Sequence, residues 1–314
     1  MHRLILSFVL LLTLVWDARA QLDVQLSQYW AVPAYFNPGA SGATDKLSVA
    51  ALSRTQWVGV SNAPSTFFVT ADMPIRFLKK QHGIGLVVNN DKAGLFASTD
   101  FGVQYAYHMR LWRGQLALGL RVGITSQSFD GTKVEIPETP DHNPSDDAIP
   151  QTEVSAMTFD AAFGAFYTHR YFTLSLAANH LTAPMLELDE KSTIKLDRVY
   201  YLMGTGNIPI GLPLLELHPS FLLKMTFQFT QFDLTCRLRY NKMFSVGLSY
   251  RHNDAVVALI CAEFKGVRVG YAYDIGTSDF ARVSGGSHEV YAGYSFKLNL
   301  KRKSKNKHKS IRIL

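Results

Sequence analysis

From residue 46 onward, large apolar side chains recur at every second position. Leu116, Leu118, Leu120, Val122 and Ile124 are separated by Ala117, Gly119, Arg121 and Gly123. A helix would mix these two sets, whereas a strand puts them on opposite faces. Phe101, Val103, Tyr105, Tyr107, Met109 and Leu111 repeat the device, as do Phe244, Val246, Leu248 and Tyr250. Val267, Val269, Tyr271 and Tyr273 form another such row, and Val290, Ala292, Tyr294, Phe296 and Leu298 the last. The second face decides the class. A soluble sandwich turns a polar, charged face outward. Here the minority face is Gly, Ala, Ser and Thr with scattered Arg, His and Asp, which suits a wet lumen inside a barrel whose other face meets lipid.

The pattern predicts an all-β transmembrane antiparallel β-barrel of about fourteen strands. Their expected spans are 46–55, 64–73, 82–91, 95–111, 114–127, 157–168, 170–180, 193–205, 214–226, 231–240, 243–252, 254–264, 266–274 and 287–299. Pro209, Pro213 and Pro219 interrupt the region 193–226 that holds the eighth and ninth. If the mature N-terminus is periplasmic, the periplasmic turns fall at 74–81, 112–113, 169, 206–213, 241–242 and 265. Most of these are short, while the opposite set contains 128–156, 181–192 and 275–286, the long outer loops such barrels carry. Tyr105, Tyr107, Tyr271, Tyr273 and Tyr294 lie where an aromatic girdle is expected.

The two ends of the chain depart from this pattern. His2 and Arg3, the apolar run Leu4 to Trp16 and the small residues around Arg19 make residues 1–20 a secretory signal peptide. That run is shorter than the roughly 20 residues of a spanning helix. Residues 21–45 carry Tyr29, Trp30, Tyr35 and Phe36 without alternation. They are expected as a periplasmic N-terminal segment with three readings open: docking a partner, plugging the lumen, or packing at the inner rim. Residues 46–299 are the barrel and 300–314 a basic periplasmic tail.

Charge locates to that tail. Lys297, Lys301, Arg302, Lys303, Lys305, Lys307, Lys309 and Arg312 are eight cations in the last eighteen residues, and removing them from the net +7 leaves −1. An exported chain with a neutral body and a basic tail points to an acidic surface or protein, not to nucleic acid. Arg76, Lys79, Lys80, Arg113, Arg170, Lys242 and Lys265 fall at or beside the expected inner turns. The outer loop instead carries Asp130, Glu135, Glu138, Asp141, Asp146, Asp147 and Glu153 against Lys133.

No pattern of reactive residues emerges. HExxH, CxxC, GxSxG and P-loop motifs are missing from the sequence. Ser287, His288 and Glu289 have triad chemistry, but neighbours on a strand face opposite ways and cannot converge. His108, Arg110, Arg121 and Arg251 are expected as solvated or paired lumen-wall residues. Cys236 and Cys261 fall on strands separated by a third and are expected to be unpaired. The expectation is a non-enzymatic protein without a cofactor or metal.

Tyr291, Gly293, Phe296 and Leu298 match the closing-strand pattern read by barrel-assembly machinery. Gln25-Leu26-Ser27-Gln28-Tyr29, Asn37-Pro38 and Gly42 resemble the mature start of the PorP/SprF family. Arg54-Thr55-Gln56-Trp57, Ala63-Pro64, His82-Gly83-Ile84-Gly85-Leu86, Asn90-Asp91-Lys92-Ala93-Gly94 and Tyr105-Ala106-Tyr107-His108 extend the likeness. Ser249-Tyr250-Arg251, Tyr271-Ala272-Tyr273-Asp274 and Ser287-His288-Glu289 carry it nearly to the end. The resemblance runs from about Gln25 to Phe296; the 128–156 loop and the tail match nothing in it.

That resemblance implies an outer-membrane component of the type IX secretion system, coupled in some members to gliding motility. It implies periplasmic partners, the PorK/PorN ring and PorE-like peptidoglycan-binding proteins, and support for cargo export to the surface. Lipid and secreted cargo are further expected partners. Tyr29, Trp30, Lys301, Arg302, Lys303, Lys305, Lys307 and Lys309 are the candidate partner-binding residues. The alternatives are a passive porin, which requires an open lumen, and a secreted β-rich adhesin, which requires apolar rows packed on each other.

Overall fold

The structure is a computed structural model that describes residues 24–134, 150, 152–189, 192–212, 214–277 and 284–297. Fourteen antiparallel strands close on themselves. They are β1 (Lys46–Thr55), β2 (Ser65–Phe77), β3 (Lys80–Ala93), β4 (Phe96–Leu111), β5 (Gly114–Asp130), β6 (Glu153–Thr168) and β7 (Phe172–Asn179). The circuit continues with β8 (Val199–Gly206), β9 (Leu215–Met225), β10 (Thr230–Tyr240), β11 (Phe244–Arg251), β12 (Ala255–Phe264), β13 (Val267–Gly276) and β14 (Ser287–Lys297). Each strand pairs with its sequence neighbours, and β1 closes the circuit on β14 with Lys46 opposite Lys297 and Thr55 opposite His288. Closure leaves no unpaired strand edge, the condition for a sheet to cross hydrocarbon.

The alternation sets the faces as the sequence predicts. On β5, Leu118, Leu120, Val122 and Ile124 are exposed on the outside while Ala117, Thr125 and Gln127 are buried within. The outside is apolar around the circuit, with Val103 on β4, Leu174 on β7, Leu248 on β11 and Val269 on β13. The adhesin reading requires these rows to be covered, and they are not. An aromatic band marks the short-turn end: Phe77, Trp112, Tyr171, Tyr240, Phe244, Phe264 and Phe296 are all exposed there. Among the described residues no helix is long and apolar enough to cross a membrane; the strands do so.

One span differs in kind from expectation. Residues 193–205 are not one strand: β8 begins at Val199, and Ser192–Lys195 pairs instead with Met185–Asp189. Leu186, Leu188 and Leu196 bury the inner side of this hairpin, which leans on β5 and β6. Met185 to Asp189 alternates like any barrel strand but is too short to span, so it folds within a long loop. Pro219 lies inside β9 as expected. It sits at a gap in the ladder, between the Thr205–Ser220 pair and the Ile208–Leu217 pair, where no β8 partner is lost. Of the long loop, residues 135–149 lie outside the described residues, as do residues 1–20, expected as a signal peptide, and 300–314, expected as a basic tail.

Cys236 faces outward on β10 and Cys261 lies on β12 beyond β11, and both are free. Arg76, Lys79, Lys80, Arg113, Arg170, Lys242 and Lys265 are exposed together at the short-turn end. Leu78 and Lys79 both take positive φ, the backbone of a tight two-residue hairpin turn, and Asn241 and Lys242 do so within the three-residue turn between β10 and β11.

Candidate functional site: the filled lumen

Residues 24–45 run through the barrel. Val24 lies at the long-loop end, where its carbonyl accepts from Lys224 near the top of β9. Gly42 lies near the opposite end, its N–H donating to Asp72 of β2. The segment holds short helical turns at Tyr29–Ala31, Pro33–Phe36 and Pro38–Ala40. Pro33 and Pro38 each stand at the first position of a turn, where their fixed φ fits and no N–H is missed. The absence of alternation in residues 21–45 now has a cause: this stretch touches wall on several sides and belongs to no sheet.

Its apolar side chains form the largest core of the molecule. Leu26, Tyr29, Val32, Tyr35 and Phe36 pack against Leu52, Phe68, Val87, Tyr201, Met203 and Leu222 of the wall. The Tyr35 and Phe68 rings stack at 4.5 Å. Burial of each such side chain contributes about 1.5–3 kcal/mol.

Polar contacts fix the register. Asn37 donates through Nδ2 to Ser175 Oγ at 2.8 Å and to the Ala165 carbonyl at 2.9 Å, while its Oδ1 accepts the Gly39 N–H. Gln104 donates to the Ala34 carbonyl and Arg121 to that of Tyr35. His108 bonds the Ser41 carbonyl at 2.9 Å. So His108 and Arg121 bind the segment, as does Arg251; Arg110 is exposed at the end of β4.

The strongest anchor is a buried ion cluster near the long-loop end. Arg54 on β1 meets Asp274 at 2.7 Å and Glu289 at 3.4 Å. Arg251 on β11 meets Asp233 at 3.0 Å and Asp274 at 2.8 Å. Both guanidinium groups donate to Ser27 Oγ, which itself donates to Asp274. Glu289 receives two backbone N–H groups of the segment, from Ser27 and Gln28, each at 2.7 Å. A buried cluster holds only if its lone pairs and protons are met, and breaking one partner costs about 3–5 kcal/mol. Ser287 and Glu289 face in while His288 faces out against Tyr271 at 2.6 Å, so the three do not converge.

The small lumen face has a steric reason. A Cβ on Gly119 would stand 2.2 Å from the Gly39 nitrogen, and one on Gly83 would stand 1.8 Å from the Ser41 carbonyl oxygen. These glycines admit the backbone of residues 39–42 against the wall. The small residues that suggested an enclosed channel of water therefore enclose protein over this stretch.

Of the candidate partner-binding residues, Tyr29 is 1% exposed, with its hydroxyl bonded to Thr235 at 3.0 Å. Trp30 is half-buried under the Arg237 guanidinium. Both face the barrel interior. Lys301, Arg302, Lys303, Lys305, Lys307 and Lys309 lie outside the described residues. Among the described residues, no three His, Cys, Asp or Glu side chains are grouped to hold a metal ion.

Solved structures similar to this chain include the toluene transporter TodX of Pseudomonas putida, at 9% identity and a TM-score of 0.49, over 85% of this chain and 93% of that one. The outer membrane protein Omp33 of Acinetobacter baumannii is 11% identical, with a TM-score of 0.45, over 82% of this chain and all of that one. No curated protein matches the sequence. Residues 18–294 match the model of the type IX secretion system membrane protein PorP/SprF, and the chain belongs to that family.

Proposed function

We propose that this outer-membrane barrel serves the type IX secretion system as a closed anchor that docks periplasmic machinery and supports cargo export, without catalysing a reaction. The observation that carries this reading is the filled lumen: residues 24–45 run between the ends and are tied to the wall by apolar packing and a buried ion cluster. A passive porin needs a continuous aqueous path, and this segment stands in it.

Docking follows from the polarity of the ends. The short-turn end gathers seven exposed cations from five turns, and the basic tail follows β14 in the sequence. A surface of one sign steers an oppositely charged partner and raises its rate of encounter. Acidic faces on periplasmic type IX components, the PorK/PorN ring or a PorE-like protein, are the fitting partners. With Tyr29 enclosed, this contact belongs to the rim and the tail. The test is a detergent pull-down from native membranes with residues 301–314 deleted. Weakened recovery of periplasmic components supports docking through the tail; unchanged recovery removes the tail from the mechanism.

A further inference from the structure

Toward the short-turn end, between the segment and strands β9 to β14, lies a cavity of about 250 Å³. Its lining includes Trp30, Arg237, Arg268 and Tyr291, and reaches the short turns at Asn207 and Met243. Among the described residues, four buried polar atoms of these lining residues have no hydrogen-bond partner: Trp30 Nε1, Arg237 Nε, Arg268 Nε and Tyr291 Oη. The first three can only donate. Arg237 is 7% exposed and forms no ion pair among the described residues; its guanidinium lies 3.4 Å from the Trp30 ring centre.

The carboxylates nearby are committed elsewhere. Glu263, which also lines the cavity, pairs with Arg239 at 2.8 Å. Glu216 binds His218. Asp72 accepts the Gly42 N–H and faces Arg268 only from beyond ion-pair distance. A buried cation left without a counter-charge is costly, and buried donors left unmet add to that cost. The ion cluster around Arg54 differs in charge: each arginine there is matched by carboxylates, although Arg54 Nε also lacks a hydrogen-bond partner among the described residues.

We propose that this cavity is an oxyanion site that takes a carboxylate or phosphate group entering from the short-turn end, held by the guanidinium groups of Arg237 and Arg268. The group must offer acceptors, because guanidinium nitrogens only donate, and must be anionic, because two guanidinium-bearing residues line the cavity without an ion pair among the described residues. Its source is either a free small anion or an acidic side chain of a docked partner.

Cys261 lines the same cavity and supplies a probe. In the full mature chain with Cys236→Ser, thiol labelling of Cys261 is measured against inorganic phosphate and against acetate. The expected result is slowing of about tenfold once the anion reaches ten times its dissociation constant, by simple occupancy. Arg237→Met should abolish that protection. Because it removes an unpaired buried charge, it should also fold at least as well without anion, as judged by heat-modifiable migration. Pull-down with folded Arg237→Met separates the sources. Lost recovery of periplasmic components assigns the anion to a partner, and full recovery with anion protection assigns it to a free solute. If neither anion protects Cys261 and Arg237→Met leaves recovery unchanged, ordered water satisfies these donors and the proposal is overturned.

Discussion

Glu289, near the start of the last strand, accepts the backbone N–H of Ser27 and of Gln28 through its two carboxylate oxygens, each at 2.7 Å. The contact joins residues some 260 positions apart. It is also the point where the seam strands, the ion cluster and the lumen segment meet. Glu289→Ala leaves Arg54 with one carboxylate fewer and two buried N–H groups unmet. The expected loss is about 3–5 kcal/mol, read as a lower midpoint for heat-modifiable migration. Asp254→Ala removes a carboxylate whose side chain is 33% exposed from the same cluster and should cost far less.

Gly119→Ala tests the seating of the segment. The new methyl group would meet the backbone of Gly39, which cannot rotate away. Overpacking of this kind costs about 1–3 kcal/mol. Strand content by circular dichroism should be unchanged while the segment becomes accessible to protease. Gly206→Ala is the control, since the three nearest neighbours of its methyl are atoms of Pro219, none closer than 3.1 Å and none in the segment.

The lipid-facing assignment predicts a sided response to charge. Val122 points outward at the middle of β5, so Val122→Arg should destabilise the folded barrel in vesicles by about 2–4 kcal/mol. Leu78→Arg, exposed on a short turn outside the hydrocarbon, should change stability little. Equal effects at the two positions would contradict a membrane around this wall.

At the short-turn end, reversing Lys79, Lys80, Lys242 and Lys265 to Glu should leave folding intact, because all four are exposed. Recovery of periplasmic components should fall and should lose its dependence on salt, as expected when rim charges set encounter. Unaltered recovery would remove the rim from docking.

The wall was legible because its cause is local. Leu116 to Ile124 alternate on one strand, and the two faces follow from backbone geometry alone. The β8 start was misplaced because Met185–Asp189 and Ser192–Lys195 carry the same alternation in a hairpin that never spans. The lumen segment was harder to place because its contacts are remote. Asn37 reaches Ser175, and Ser27 reaches Asp274. A signal was present nonetheless. Arg54, Arg251, Asp274 and Glu289 stand on the inward face near one end of their strands, and residues 24–36 are apolar without a period. Buried charge on that face needs a partner, and an aperiodic apolar stretch needs a wall.

The central claim is that residues 24–45 close the barrel, and single-channel recording in planar bilayers tests it most directly. The intact mature protein, shown to be inserted by its heat-modifiable migration, should carry no steady current. Glu289→Ala combined with Gly119→Ala should give conducting events as the segment loosens. A steady ohmic conductance from the intact protein would contradict the account.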